Sequence, residues 1–137
     1  MTGLDTNVLV RYIAQDDLAQ ARKATTLIES FTDESPGFIS MVALVEFVCV
    51  IQGCYDAGKE ETVAILDKLL RLRTLRLESA DLVARAVRAY AAGKADFADA
   101  LIACAGSHAQ CSHTVTFDRK AAKTAGMQLL GQEPAPK

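Results

Sequence analysis

Residues 2–13 read TGLDTNVLVRYI. TGLD has the form of a very short strand, and Val8, Leu9, Tyr12 and Ile13 in TNVLVRYI fall at helical spacing. A strand passing straight into a helix is the unit from which parallel sheets are built. The same rhythm recurs down the chain.

A second helix is predicted from Asp17 to Phe31, with Leu18, Ala21, Leu27 and Ile28 along one side, and DESPG then breaks the chain. FIS makes a strand and leads into a long apolar helix from about Val42 to Cys54. After Gly58, Glu60 to Arg73 forms an amphipathic helix with Val63, Leu66, Leu69 and Leu70 inward. LRL is strand-like, and Ser79 or Asp81 caps a helix that stops at Gly93. A further helix runs from Phe97 to Ala109, HTVTF is a strand, RKAAKTA is a short helix ended by Gly126, and MQLL is a last strand. Alternation of this kind predicts an α/β fold, a doubly wound three-layer α/β/α sandwich with a mostly parallel central sheet. One domain is expected over 1–131, with GQEPAPK, residues 132–137 included, as a loose tail.

Composition agrees with one globular domain: 137 residues, 50% hydrophobic and 23% charged, with three prolines and no repeat. A net charge of −2 gives no global attraction to nucleic acid, so any basic surface is local. The longest apolar stretch, FISMVALVEFVCVIQGC, carries Glu46 at its middle and is too short for a membrane span. With no signal-peptide pattern ahead of Leu4 and Asp5, the chain reads as soluble and cytoplasmic, without a membrane partner.

CAGSHAQCSH, residues 104–113, holds Cys104, His108, Cys111 and His113. Zinc sites present a tight C-x2-4-C knuckle and a distant partner knuckle, and this spacing does not. Cys104 falls in the apolar phase of its helix with Leu101, and the histidines read as surface or helix-end residues.

Sites in open parallel sheets form beyond the carboxyl ends of strands. Asp5 lies there after the first strand, and Asp118 lies just past HTVTF. Glu46 sits one turn into the helix after FIS, and Asp99 in the first turn of its own helix. Each acid has an ordinary alternative. Asp5 can be an N-cap, Asp118 a turn residue and Asp99 a complement to the helix dipole. Glu46, flanked by VALV and FVCVI, is expected to pair, to coordinate a metal or to shift its pKa, with Arg11 as a possible ion-pair partner. One shared site is the more economical account. Clustered carboxylates need a cation, and oxygen ligands select Mg²⁺ or Mn²⁺. Such a metal polarises a phosphodiester and acidifies a bound water. Neither G-x-x-x-x-G-K-[ST] nor G-x-G-x-x-G is present, which points away from nucleotide-driven chemistry and toward hydrolysis of a nucleic-acid backbone.

LDTNVLVRYIAQDD, FISMVALVEF, GKADFADALIA and TFD at 116–118 together resemble the PIN-domain ribonucleases, and more narrowly VapC-type toxins of toxin–antitoxin pairs. The resemblance implies that Asp5, Glu46 and Asp99 are the first three metal-binding acids and that Asp118 stands at a more variable fourth. It makes Asp96 a cap with an accessory part, and places Thr6, Asn7, Ser40 and Thr116 beside the acids, where they can orient carboxylates or waters. It also implies an RNA substrate, a homodimer and a small antitoxin partner. Arg11, Arg119, Lys120 and Lys123 adjoin the acidic motifs and are the candidates for gripping phosphate. The family commonly has a tryptophan soon after the second acid, where this chain has FVCVI and no tryptophan at all. Two rivals stand beside this reading. A phosphoaspartyl enzyme of the haloacid-dehalogenase type needs a second aspartate where this chain has Asn7. The other is a catalytically inactive PIN-like module that only binds RNA or protein.

Overall fold

Asp5 ends the first strand and starts the first helix. The structure, a computed structural model, describes residues 1–131; the expected tail at 132–137 lies outside the described residues. Strand β1 is Thr2–Gly3, and the Leu4 amide extends its ladder by donating to the Phe38 carbonyl at 2.9 Å. Asp5, extended at φ −78° and ψ 158°, then caps helix α1, Thr6–Ala14. Helix α2 is Leu18–Glu29, β2 is Gly37–Ile39, α3 is Met41–Tyr55, α4 is Lys59–Arg71 and β3 is Leu75–Leu77. Helix α5 is Ala80–Ala92, α6 is Phe97–His108, β4 is Val115–Thr116, α7 is Arg119–Ala125 and β5 is Gln128–Leu129. The α/β class and the order of elements are as expected.

Every strand pairing is parallel, in two sheets: β1-β2-β3, and β4-β5. The expected single sheet is therefore two ladders among the described residues. TGLD, HTVTF and MQLL each contribute only two residues to a strand, because β-like composition extends further along the chain than the paired backbone does. Backbone contacts gather the chain into two compact units, Met1–Ala80 and the residues from Asp81 onward.

In the first unit α1 packs on α2 and α3, and α4 packs on β3. Helix α3 buries Ala43, Leu44, Phe47, Val48 and Ile51, one stripe at helical spacing. Its opposite side carries Val42, 70% exposed, with Glu46 and Cys49 also exposed. The apolar neighbours of Glu46 in sequence thus turn away from it in space. The expectation of a buried charge does not hold. Among the described residues Glu46 has no ion-pair partner, and Arg11 is paired elsewhere. Helix α2 buries Ala21, Ala24 and Ile28, but Leu18 is 69% exposed and Leu27 37% exposed, so the inward stripe is narrower than expected. Helix α4 buries Leu66 and Leu69 with Thr62, whose hydroxyl donates to the Gly58 carbonyl at 2.8 Å. Gly37 lies under Phe31: a Cβ built there would come within 2.5 Å of the ring and 2.8 Å of Leu75.

In the second unit α5 buries Leu82, Val83, Ala86, Val87 and Tyr90. The Tyr90 ring meets Phe97 of α6 edge to face, with centroids 5.9 Å apart. Ser79, expected as a cap of α5, has a positive φ of 51°, and Asp81 lies inside the first turn, where it complements the helix dipole. Gly126, at φ 72°, ends α7 as expected. No described helix is long and apolar enough to cross a membrane.

Candidate functional site

Four of the expected site residues, Asp5, Ser40, Asp96 and Asp118, are N-caps, and each of the three aspartates commits Oδ1 to an amide and leaves Oδ2 to other partners. Asp5 Oδ1 accepts the Thr6 amide at 2.8 Å at the head of α1. Thr6 is buried, and its hydroxyl donates to the Ala43 carbonyl at 3.5 Å. That bond ties the helix opened by Asp5 to α3, one turn before Glu46. Ser40 Oγ accepts the Ala43 amide at 3.1 Å and caps α3, and Glu78 Oε1 accepts the Met41 amide at 2.9 Å beside it. Ser40 is thus a cap first. Asn7 is exposed on the first turn of α1.

The second unit brings three of the expected acids within each other's field. Asp96 Oδ1 accepts the Asp99 amide at 2.8 Å and caps α6. Asp118 Oδ1 accepts the amides of Lys120 at 2.8 Å and Ala121 at 3.3 Å, capping α7. Thr116 Oγ1 in turn accepts the Asp118 amide at 3.0 Å, which fixes the approach to that cap. Asp99 is half-buried, and its own carboxylate accepts no hydrogen bond among the described residues. Burial, and then the negative charges of Asp96 and Asp118, push the Asp99 carboxyl above the usual carboxylate range; Lys120 opposes them. The Lys120 charge therefore acts on the acidic group, and Lys120 and Arg119 are both exposed.

The donor set tests the fit of a metal. It consists of carboxylate oxygens, hard ligands suited to Mg²⁺ or Mn²⁺. Asp99 is held where its charge is disfavoured without a cation, the electrostatic condition a metal would relieve. In donor chemistry, if not in grouping, the residues present suit such a cation. As they stand, no three or more His, Cys, Asp or Glu side chains among the described residues are grouped to hold a metal ion. Cys104 is half-buried on α6, Cys111 is exposed, and His113 Nδ1 lies 3.1 Å from Ser112 Oγ. All four cysteines are free thiols.

Arg11, expected to grip phosphate, is held within the protein. Its guanidinium meets Asp16 at 3.1 Å, Gln20 Oε1 at 2.7 Å and the Tyr55 hydroxyl at 3.4 Å. Two of the basic residues after Leu66 are also engaged: Lys68 lies over the Tyr12 ring, and Arg73 pairs with Asp33 at 3.0 Å. Two features escaped the sequence. Phe117, beside Asp118 and past the end of β4, is 82% exposed, which its place in the expected strand HTVTF did not indicate. A cleft between α1 and α2 has Gln20 and Lys23 in its wall, and neither belongs to any motif.

The model of the PIN domain family, whose members are generally nucleases that typically use divalent metals, matches residues 4–127. No curated protein matches the chain. The matched span takes in Asp5, Glu46, Asp99 and Asp118 together with nearly all the described elements, and the chain belongs to the PIN domain family.

Proposed function

We propose that this PIN domain is a metal-dependent endoribonuclease that hydrolyses RNA phosphodiester bonds and serves as the toxin of a toxin–antitoxin pair, of the VapC type. The observation that carries the reading is Asp99: a half-buried carboxyl in the first turn of α6, with Asp96 and Asp118 opposing its ionisation and no hydrogen bond of its own. Family membership adds nuclease chemistry to that carboxylate group.

In this reading Asp5 and Asp99 would hold the principal Mg²⁺ or Mn²⁺, Glu46 would serve as a further ligand or orient a water, and Asp118 would support the metal or the water. When bound, the cation supplies Lewis-acid polarisation of the phosphodiester. The protein's own part is orientation. Asp5 and Asp118 each commit Oδ1 to a helix amide and so present Oδ2 in a fixed direction. Asp96 does the same for α6 and holds Asp99 in place. Lys120, whose charge opposes the rise of the Asp99 pKa, would meet the negative phosphate. The toxin role, a homodimer, a small antitoxin partner and a cytoplasmic setting extend the same resemblance.

The test is cleavage of RNA by purified protein with Mg²⁺ or Mn²⁺. Wild type should cleave and Asp99→Asn should not; equal rates would sink the assignment. RNA binding with no cleavage under either metal would make the chain a PIN-like binding module. For the toxin role, expression should arrest growth, Asp5→Ala should abolish the arrest, and a small antitoxin reading frame should lie beside the gene.

A further inference from the structure

We infer that the cleft between α1 and α2 is a seat for one nucleotide of single-stranded RNA next to the bond that is cut, an inference that rests on the ribonuclease reading. The cleft has a volume of about 320 Å³ and is lined by Asn7, Val8, Arg11, Gln20, Lys23 and Leu27, among others. That volume is at the small end of ligand-sized pockets. It belongs wholly to the first unit and begins two residues after Asp5. Asn7 of the cleft stands on the first turn of the helix that Asp5 caps, and that shared helix end is what links the cleft to a phosphate presented to Asp5.

Helical spacing builds the walls. Asn7 and Arg11 are four apart on α1, while Gln20, Lys23 and Leu27 follow one face of α2. The floor is apolar, from half-buried Val8 and from Leu27, which is 37% exposed. The rim holds two carboxamides, two cations and no acid. A nucleotide offers the complementary set: a flat base face for the floor, a hydrogen-bonding edge for Asn7 and Gln20, and a phosphate for the cations. The two cations are unequal. Arg11 is already paired with Asp16, whereas exposed Lys23 has no ion-pair partner among the described residues. Gln20 gives its Oε1 to Arg11 Nε and keeps its amide hydrogens for the cleft. Lys23 is thus the phosphate anchor, and Arg11 with Gln20 forms a fixed wall. An acidic peptide could meet the same cations and carboxamides; the small volume of the cleft and its place beside Asp5 in sequence favour a single nucleotide, and the peptide is an outcome of the test.

The experiment measures anisotropy of a labelled short single-stranded RNA with the full chain in EDTA, so that binding is read without cleavage. Lys23→Glu should weaken binding about tenfold near 0.1 M salt and lower the slope of log K against log salt by about 0.7, the share of one phosphate contact on a single strand. Leu27→Ala should weaken it by about fivefold with the slope unchanged, the loss expected when apolar contact area is removed from the floor. Arg88→Glu, the same charge change on α5, should weaken it by less than about threefold. Equal losses in Lys23→Glu and Arg88→Glu would overturn the seat, as would wild type that fails to bind RNA in EDTA. So would Lys23→Glu binding RNA normally while losing an acidic peptide that wild type holds. Metal-dependent cleavage with RNA binding indifferent to Lys23 sinks the seat and leaves the nuclease. Lys23-dependent binding without cleavage sinks the nuclease and keeps the cleft as a nucleotide seat, overturning only its place beside a bond that is cut.

Discussion

Asp96 holds the backbone amide of Asp99 on its Oδ1 at 2.8 Å, so the acid that starts α6 also sets the position of the acid that follows it. The two can be separated by substitution. Asp96→Asn keeps an oxygen acceptor and should retain both the cap and most of the RNA cleavage. Asp96→Ala should cost about 1 kcal/mol of stability. Asp99→Asn should lower cleavage by about 100-fold or more, beyond what a merely supporting group costs. If Asp96→Asn is as inactive as Asp99→Asn, Asp96 is itself a metal ligand.

The raised pKa of Asp99 has a definite sign in metal-free protein. Its folded carboxyl holds the proton more tightly than the unfolded one, so stability falls as pH rises from the ordinary 3.8 through the raised value. At neutral pH, Asp99→Asn should therefore melt higher than wild type in EDTA. Below 3.8 both forms of Asp99 are protonated, and the advantage should disappear. Thermal melts of the two proteins at neutral and acid pH check this; a lower melting temperature for the variant at neutral pH would contradict it.

Adding metal should reverse that order. A cation bound only by the folded state stabilises it by about 2.7 kcal/mol at a concentration 100 times its Kd. Millimolar Mg²⁺ or Mn²⁺ should raise the melting temperature of wild type and leave Asp99→Asn nearly where it was. Equal shifts in both would place the cation elsewhere.

Asp16, in the turn between α1 and α2, joins α1 to the end of α3, accepting from the Tyr55 hydroxyl at 2.7 Å and pairing with the Arg11 guanidinium at 3.1 Å. The Tyr55 hydrogen bond, with help from Arg11, lowers the Asp16 pKa, and the bond to Asp16 raises that of Tyr55. Asp16 therefore contributes fully above 3.8, and the contribution is lost only as pH falls through its depressed value. Tyr55 contributes fully below 10.0 and loses its part as pH rises through its raised value. Asp16→Asn should lower stability by a constant amount from about pH 5 to about pH 9, with convergence on wild type in strong acid. Denaturant melts across that range would show it; a difference that changes steadily through neutrality would not fit.

What the sequence revealed followed from local chemistry. Asp5, Asp17, Asp96 and Asp118 each cap the helix that follows, and Gly126 stops α7, because caps act on amides and φ angles a few residues away. Strand lengths were overestimated because pairing depends on a partner backbone distant in sequence. Glu46 was misjudged for a related reason: its flanks are apolar, but helical rotation turns them inward and the carboxylate outward. Arg11 and Lys23 show the limit most clearly. Both are ordinary helix cations in sequence, and only the packing of α1 against α2 gives one an acid and leaves the other open.

Gly37 bears on how the chain finds its fold. Its neighbours Thr2 and Leu75 are parallel partners from distant segments, so no hairpin turn dictates their alignment. The Phe31 ring does so instead, by lying where only a residue without a side chain fits. Sliding β2 by one position would bring Pro36 or Phe38 beneath that ring and reverse the faces of the strand. A single missing methyl group thus excludes misaligned assemblies that the short strands, with so few ladder bonds, could not reject by themselves.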